Sequence, residues 1–89
     1  MKGNVEFQFL DLLFNPISNL EYKVEYLKNK VIAAGMSGKD GKTVIISRNL
    51  GCILRVYVKK TNGEYKYVGL YCVYKIGDFT VRPAISIFG

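Results

Sequence analysis

Apolar and polar residues alternate with a period of two along most of this chain, the pattern of strands that bury one face. Val5, Phe7 and Phe9 alternate with Glu6 and Gln8; Leu20, Tyr22, Val24 and Tyr26 alternate with Glu21, Lys23 and Glu25. The same reading predicts strands over Val31 to Met36, Thr43 to Ser47, Cys52 to Lys60, Glu64 to Ile76 and Phe79 to Phe88. Turn-forming pairs punctuate them, notably Asn15-Pro16, Asp40-Gly41 and Asn62-Gly63. No stretch of useful length has a helical period. About seven short strands between turn signals predict an all-β fold, a small antiparallel β-sandwich.

Asn62-Gly63 allows the sharpest local expectation, because the pair supplies the two left-handed residues of a two-residue type I′ hairpin turn. With Thr61 opposite Glu64, Val58 faces Tyr67, Val56 faces Gly69, Leu54 faces Tyr71 and Cys52 faces Val73, all toward the core. The other side of this hairpin then carries Lys59 with Lys66, Tyr57 with Val68, Arg55 with Leu70 and Ile53 with Cys72. Cys52 and Cys72 fall on opposite faces, whereas a disulfide needs Cβ atoms roughly 4 Å apart. Both are expected as free thiols with a packing role, which fits production in a reducing compartment.

The 89 residues make one domain, 1–89, and leave open whether it is the N-terminal module of a longer protein. Thirteen Lys and Arg against seven Asp and Glu give a formal charge of +6, but the basic residues are scattered and their longest run is Lys59-Lys60. That charge serves solubility or attraction to an anionic polymer. The apolar runs are too short to span a membrane, and the N-terminus lacks the layout of a secretory signal. The expectation is a chain made in the cytoplasm without a cleaved signal, so that export would need a dedicated apparatus.

Chemistry is read mostly by elimination. With no histidine and two cysteines, the chain has no Ser-His or Cys-His pair and no zinc-binding pattern, and neither catalytic residues, metal ligands nor a cofactor are expected. Glu6, Glu21, Glu25 and Glu64 sit at alternating positions that predict solvent exposure, unlike a glycosidase pair opposed across a cleft. Gly41-Lys42-Thr43 ends like a phosphate-binding loop, yet the earlier glycine is missing at Met36, and the β-branched Val44-Ile45-Ile46 follows where a helix is required. Asp40-Gly41 is therefore a strand reversal.

The outward face of the hairpin is only half polar, which points to cover from within the domain or to a docked partner. The candidate partner-binding residues are Ile53, Arg55, Tyr57, Lys59, Lys66, Val68 and Leu70. A protein partner would use the apolar members together with a free sheet edge. An anionic polymer, either cell wall or nucleic acid, would use Arg55, Lys59, Lys66 and Lys75. Nucleic acid is the weaker of these polymers, since Tyr57 alone is a thin stacking platform. Self-association through sheet edges is a third, structural reading.

Three stretches carry a family resemblance: Phe9 to Val24 with its Asp11 and Asn15-Pro16, Val31-Ile32-Ala33-Ala34-Gly35, and Gly38-Lys39-Asp40-Gly41-Lys42-Thr43, followed by Leu54-Arg55-Val56-Tyr57-Val58. Together they resemble the small transthyretin-like (prealbumin-like) β-sandwich modules of bacterial cell-envelope and secretion systems. Such modules occur as N-terminal domains of peptidoglycan hydrolases and type VI secretion effectors, and at the tip of the secretion spike. The resemblance spans about residues 7 to 68, with Met36-Ser37 replacing the usual Thr-Asp. It implies a transthyretin-like/Ig-like fold and a non-catalytic adaptor that tethers an effector or cell-wall hydrolase to a spike or phage-tail-like apparatus.

Overall fold

The computed structural model describes residues 1–27 and 29–88. Its seven strands are β1 (Lys2–Phe7), β2 (Glu21–Tyr26), β3 (Val31–Met36), β4 (Ile46–Asn49), β5 (Ile53–Lys59), β6 (Tyr65–Cys72) and β7 (Gly77–Val81). They form two sheets, one ordered β4-β1-β7 and the other β3-β2-β5-β6. No described residue is helical, so no helix is long and apolar enough to cross a membrane. The period-two alternation thus becomes the expected sandwich.

One pairing departs from the antiparallel expectation. β1 runs antiparallel to β4 but parallel to β7, with Gly3 opposite Gly77 and Phe7 opposite Val81. Parallel neighbours need a long connection, and here nearly the whole domain lies between the two strands. Three strands are also shorter than their apolar runs suggest. β4 starts only at Ile46, leaving Val44 and Ile45 exposed; β6 ends at Cys72, and β7 ends at Val81 before Pro83.

Between the sheets lie Val5, Phe7 and Phe9 from the first segment, Tyr22 and Val24 from β2, Leu54, Val56 and Val58 from β5, and Val73 just beyond β6. Complete burial of one such side chain stabilises by about 1.5–3 kcal/mol. The rings meet edge-on or tilted, Phe7 against Tyr71 at 5.3 Å and Phe9 against Tyr22 at 5.8 Å between centroids, within the favoured range for aromatic pairs. The buried serine and threonine hydroxyls are satisfied. Ser37 Oγ accepts from the Leu20 amide and donates to the Ile17 carbonyl, while Thr43 Oγ1 accepts from the Phe7 amide and donates to the Val44 carbonyl. Thr43, the last residue of the phosphate-loop lookalike, is thus used up as a structural tie between loop and strand.

The β5–β6 connection corrects the expected two-residue turn. The Lys60 amide donates to the Glu64 carbonyl at 2.7 Å and the Gly63 amide to the Lys60 carbonyl at 3.0 Å, which closes a three-residue loop, Thr61-Asn62-Gly63. Only Gly63 has positive φ, at 89°, and the Asn62 side-chain oxygen accepts from the Glu64 amide at 2.9 Å. Gly38 to Lys42 repeats the arrangement: Gly38 and Lys42 are bonded, Gly41 has φ 79°, and Asp40 Oδ1 accepts from the Lys42 amide at 3.0 Å. Asx-Gly therefore acts here through the side chain of Asx and the left-handed glycine, in a loop one residue longer than the type I′ turn.

That extra residue propagates. It pairs Lys59 with Tyr65, Val58 with Lys66 and Tyr57 with Tyr67, one step away from the expected partners. A bulge at Val68 then restores the expected register, so that Val56 faces Gly69, Leu54 faces Tyr71, Arg55 faces Leu70 and Ile53 faces Cys72. A bulge inserts one unpaired residue into one strand, and here it offsets the longer loop. Cys52 and Cys72 are both free thiols.

Candidate functional site

The outward face of β2, β5 and β6 is where the predicted partner-binding residues gather. Ile53, Arg55, Tyr57, Lys59 and Leu70 alternate with the buried Leu54, Val56 and Val58 and so share this face. Lys66 and Val68 do not belong to it. The one-residue shift sets Lys66 opposite the buried Val58, and its Nζ donates to the Ser86 carbonyl at 2.7 Å. The bulge turns Val68 against the core. The same shift brings out Tyr67, expected inside, which is 51% exposed. It lies beside Tyr57 with ring centroids 5.5 Å apart.

Sequence reasoning left three further members out of the set: Tyr65, Lys23 and Glu21. Lys23 Nζ stands 4.4 Å from the Tyr65 ring centroid and 5.0 Å from that of Tyr57, and Lys59 Nζ stands 5.5 Å from Tyr65. Cations this close to a ring face are held by its quadrupole. Tyr65 donates its hydroxyl to Glu21 Oε2 at 2.9 Å, and Lys59 Nζ lies 3.2 Å from the same oxygen. The donated hydroxyl first, and Lys59 second, lower the pKa of Glu21; donating to Glu21 raises that of Tyr65. The signal for these members was available in the alternation of Glu21 and Lys23 along β2, but only the pairing of β2 with β5 brings them beside Tyr57.

Glu25 corrects another expectation. It was placed in solvent, yet it is only 7% exposed, with Lys23 Nζ 3.7 Å from its Oε2. It sits at the irregular step of the β2–β3 pairing, which falls between Val24 and Glu25. Both central cations of the face, Lys23 and Lys59, therefore have a carboxylate partner. What stays open is apolar and aromatic: Leu70 is 52% exposed, and Ile53, Tyr65 and Tyr67 are exposed beside it.

Neither the loop after β1 nor the C-terminal segment covers this face. The loop after β1 and the C-terminal segment bond to each other instead, with the Leu10 amide donating to Pro83 and the Ile85 amide to Leu10. The loop itself is tightly tied. Asp11 Oδ1 accepts from the amides of Leu13 and Asn15 at 2.8 and 2.9 Å, and Phe14 is held at φ 65°, unusual for a bulky residue. It presents Leu12, Leu13 and Phe14 to solvent as a second apolar surface at the end of the sandwich, a surface that no alternation pattern marks.

No family model matches the chain, and no curated protein matches it either. Solved structures do. The Bacillus anthracis TIE protein superposes with a TM-score of 0.67 at 11% identity, over 96% of this chain and 16% of that one. A Klebsiella pneumoniae 5-hydroxyisourate hydrolase gives a TM-score of 0.62 at 7% identity, over 92% of this chain and 91% of that one. BcpA, the major pilin subunit of Bacillus cereus, gives 0.59 at 15% identity, over 97% of this chain and 31% of that one. The chain thus spans less than a fifth of the TIE protein. A hydrolase and a pilin subunit share this architecture, so it does not by itself select a function. What these likenesses show is the fold, a transthyretin-like β-sandwich.

Proposed function

We propose that this chain is a non-catalytic binding module whose outer β2-β5-β6 face docks a protein partner. The observation that carries the reading is the uncovered apolar and aromatic surface of Tyr57, Tyr65, Tyr67, Leu70 and Ile53. Tyrosines supply large contact area with few rotors and a polar tip, and they are enriched where proteins meet. The cations among them favour a protein over a polyanion. Lys59 and Lys23 already pair with Glu21 and Glu25, Lys66 is turned to Ser86, and Lys75 lies in the β6–β7 connection, which leaves Arg55 as the cation of this face without a carboxylate partner among the described residues. The family resemblance supplies the context: the partner belongs to a secretion spike or phage-tail-like apparatus, and the module tethers an effector or cell-wall hydrolase to it.

Tyr57→Asp and Leu70→Asp test the face. Each puts a charge where the partner would bury a ring or an aliphatic chain, and retention of the folded variants on an immobilised spike-tip protein should fall by at least about tenfold, the range of a buried interface anchor. Undiminished retention of both, with melting curves like that of the wild type, overturns the assignment. Retention of the unmodified chain on purified cell wall, lost steeply with added salt, would instead support the anionic-polymer reading.

A further inference from the structure

The alternation of β4 places a charge where a sandwich normally has none. Ile46 is buried, Ser47 is exposed, and Arg48 returns to the Ile46 side, opposite the buried Gly3 of β1. Arg48 therefore points between the sheets at the end of the sandwich away from the Asp11–Asn15 loop. Its Nε is buried and has no hydrogen-bond partner among the described residues. A buried donor without a partner is costly.

Arg48 lines a cavity of about 210 Å³ together with Lys2, Lys30, Tyr26, Asn49 and Cys52. The three cations arrive from β4, β1 and the start of β3, so two sheets contribute. Among the described residues no Asp or Glu lines this cavity, and none of the three takes part in an ion pair. Through Tyr26, Asn49 and Cys52 the cavity continues into a larger depression of about 660 Å³, whose wall adds Leu50, Ile53 and Arg55. A basic cavity without a carboxylate in its lining, among the described residues, thus adjoins a depression with Leu50 and Ile53 in its wall.

We propose that this cleft at the end of the sandwich binds a small phosphomonoester, the phosphate held by Arg48, Lys2 and Lys30 and the carbon body resting on Leu50 and Ile53. A phosphomonoester carries up to two charges near neutral pH and three strong acceptor oxygens, which matches a cavity lined by three cations. Arginine's fork suits such oxygens, and an Nε–H lacking a protein partner is the donor they would take. An inward charge on an edge strand can also serve to discourage edge pairing. That role needs Arg48 alone and leaves Lys2 and Lys30 in the lining of the same cavity without a reason.

The test is titration of the ¹⁵N-labelled chain with hexyl phosphate and with inorganic phosphate, at constant ionic strength, followed by amide shifts. Saturable shifts of Arg48, Asn49 and Cys52 are expected, with the ester binding more tightly than phosphate. Arg48→Gln should weaken the ester roughly tenfold or more, and Lys30→Gln and Lys2→Gln each by several fold, as for lost charge-assisted hydrogen bonds. Lys39→Gln, in the loop between Gly38 and Lys42, should leave it unchanged. Absence of saturable shifts at the cleft, or equal weakening by Lys39→Gln, overturns the proposal. Phosphate bound as tightly as the ester overturns the role of Leu50 and Ile53. An Arg48→Gln variant that melts normally yet binds the ester unchanged assigns Arg48 to edge protection instead.

Discussion

Glu21 is the one carboxylate of the outer face that gathers two partners, the Tyr65 hydroxyl and the Lys59 ammonium. Its pKa in the folded chain is lowered, chiefly by the Tyr65 hydrogen bond. A carboxylate with a depressed folded pKa contributes stability above its unfolded pKa and loses it as pH falls through the folded value. Glu21→Gln should therefore lower the melting temperature at neutral pH, and the gap to the wild type should close on acidification below the usual carboxylate range. Melts in buffers from pH 7 down to pH 3, spanning the range about the ordinary glutamate value, check this; a gap independent of pH would mean the two partners do not act through the charge. Tyr65 itself was legible only as a strand residue. Its place over Lys23 and Lys59 depends on how many residues the preceding loop contains.

That dependence is clearest at the level of the elements. The Asp40-Gly41 and Asn62-Gly63 signals correctly mark reversals, and both glycines hold positive φ. Sequence does not distinguish a two-residue turn from a three-residue loop here, because Asn-Gly serves in both. The two loops also differ in their surroundings. A Cβ on Gly63 would meet no atom within 4 Å, whereas one on Gly41 would lie 2.7 Å from the Phe9 carbonyl oxygen and 3.2 Å from the Ile17 nitrogen. Gly63→Ala should cost about 1–2 kcal/mol, the left-handed penalty alone. Gly41→Ala adds a backbone clash and should cost clearly more than Gly63→Ala in urea unfolding. Equal costs would show that the Gly41 loop gives way.

At the scale of the whole molecule, pairing is strongly non-local. β1 holds β7 beside it from the other end of the chain, and β2 pairs with β5 across two intervening strands. Such topologies must close long loops before their contacts can compensate, so folding in the millisecond-to-second range is expected. Stopped-flow refolding monitored by tyrosine fluorescence measures it; microsecond folding would contradict this account. The same topology produces both candidate surfaces. Joining β2 to β5 assembles the tyrosine and lysine face, and apposing β4 and β1 with the start of β3 brings Arg48, Lys2 and Lys30 to one mouth.

Sequence alone determined the all-β class, the two Asx-Gly reversals, most of the core and the free cysteines, because each follows from a local rule: alternation, turn chemistry or side-chain parity along one strand. It also placed Ile53, Arg55, Tyr57, Lys59 and Leu70 on one face, since parity along β5 and the inner half of β6 is unaffected by the loop. Only the tertiary structure decided that Lys66 and Val68 leave that face and that Tyr67 joins it. A single added loop residue reverses parity until a bulge restores it, and neither the loop length nor the bulge has a local signature here. The parallel β1–β7 pair and the inward Arg48 with its two lysines were decided there as well. They depend on which distant strands become neighbours, and that is settled by packing two sheets around one core.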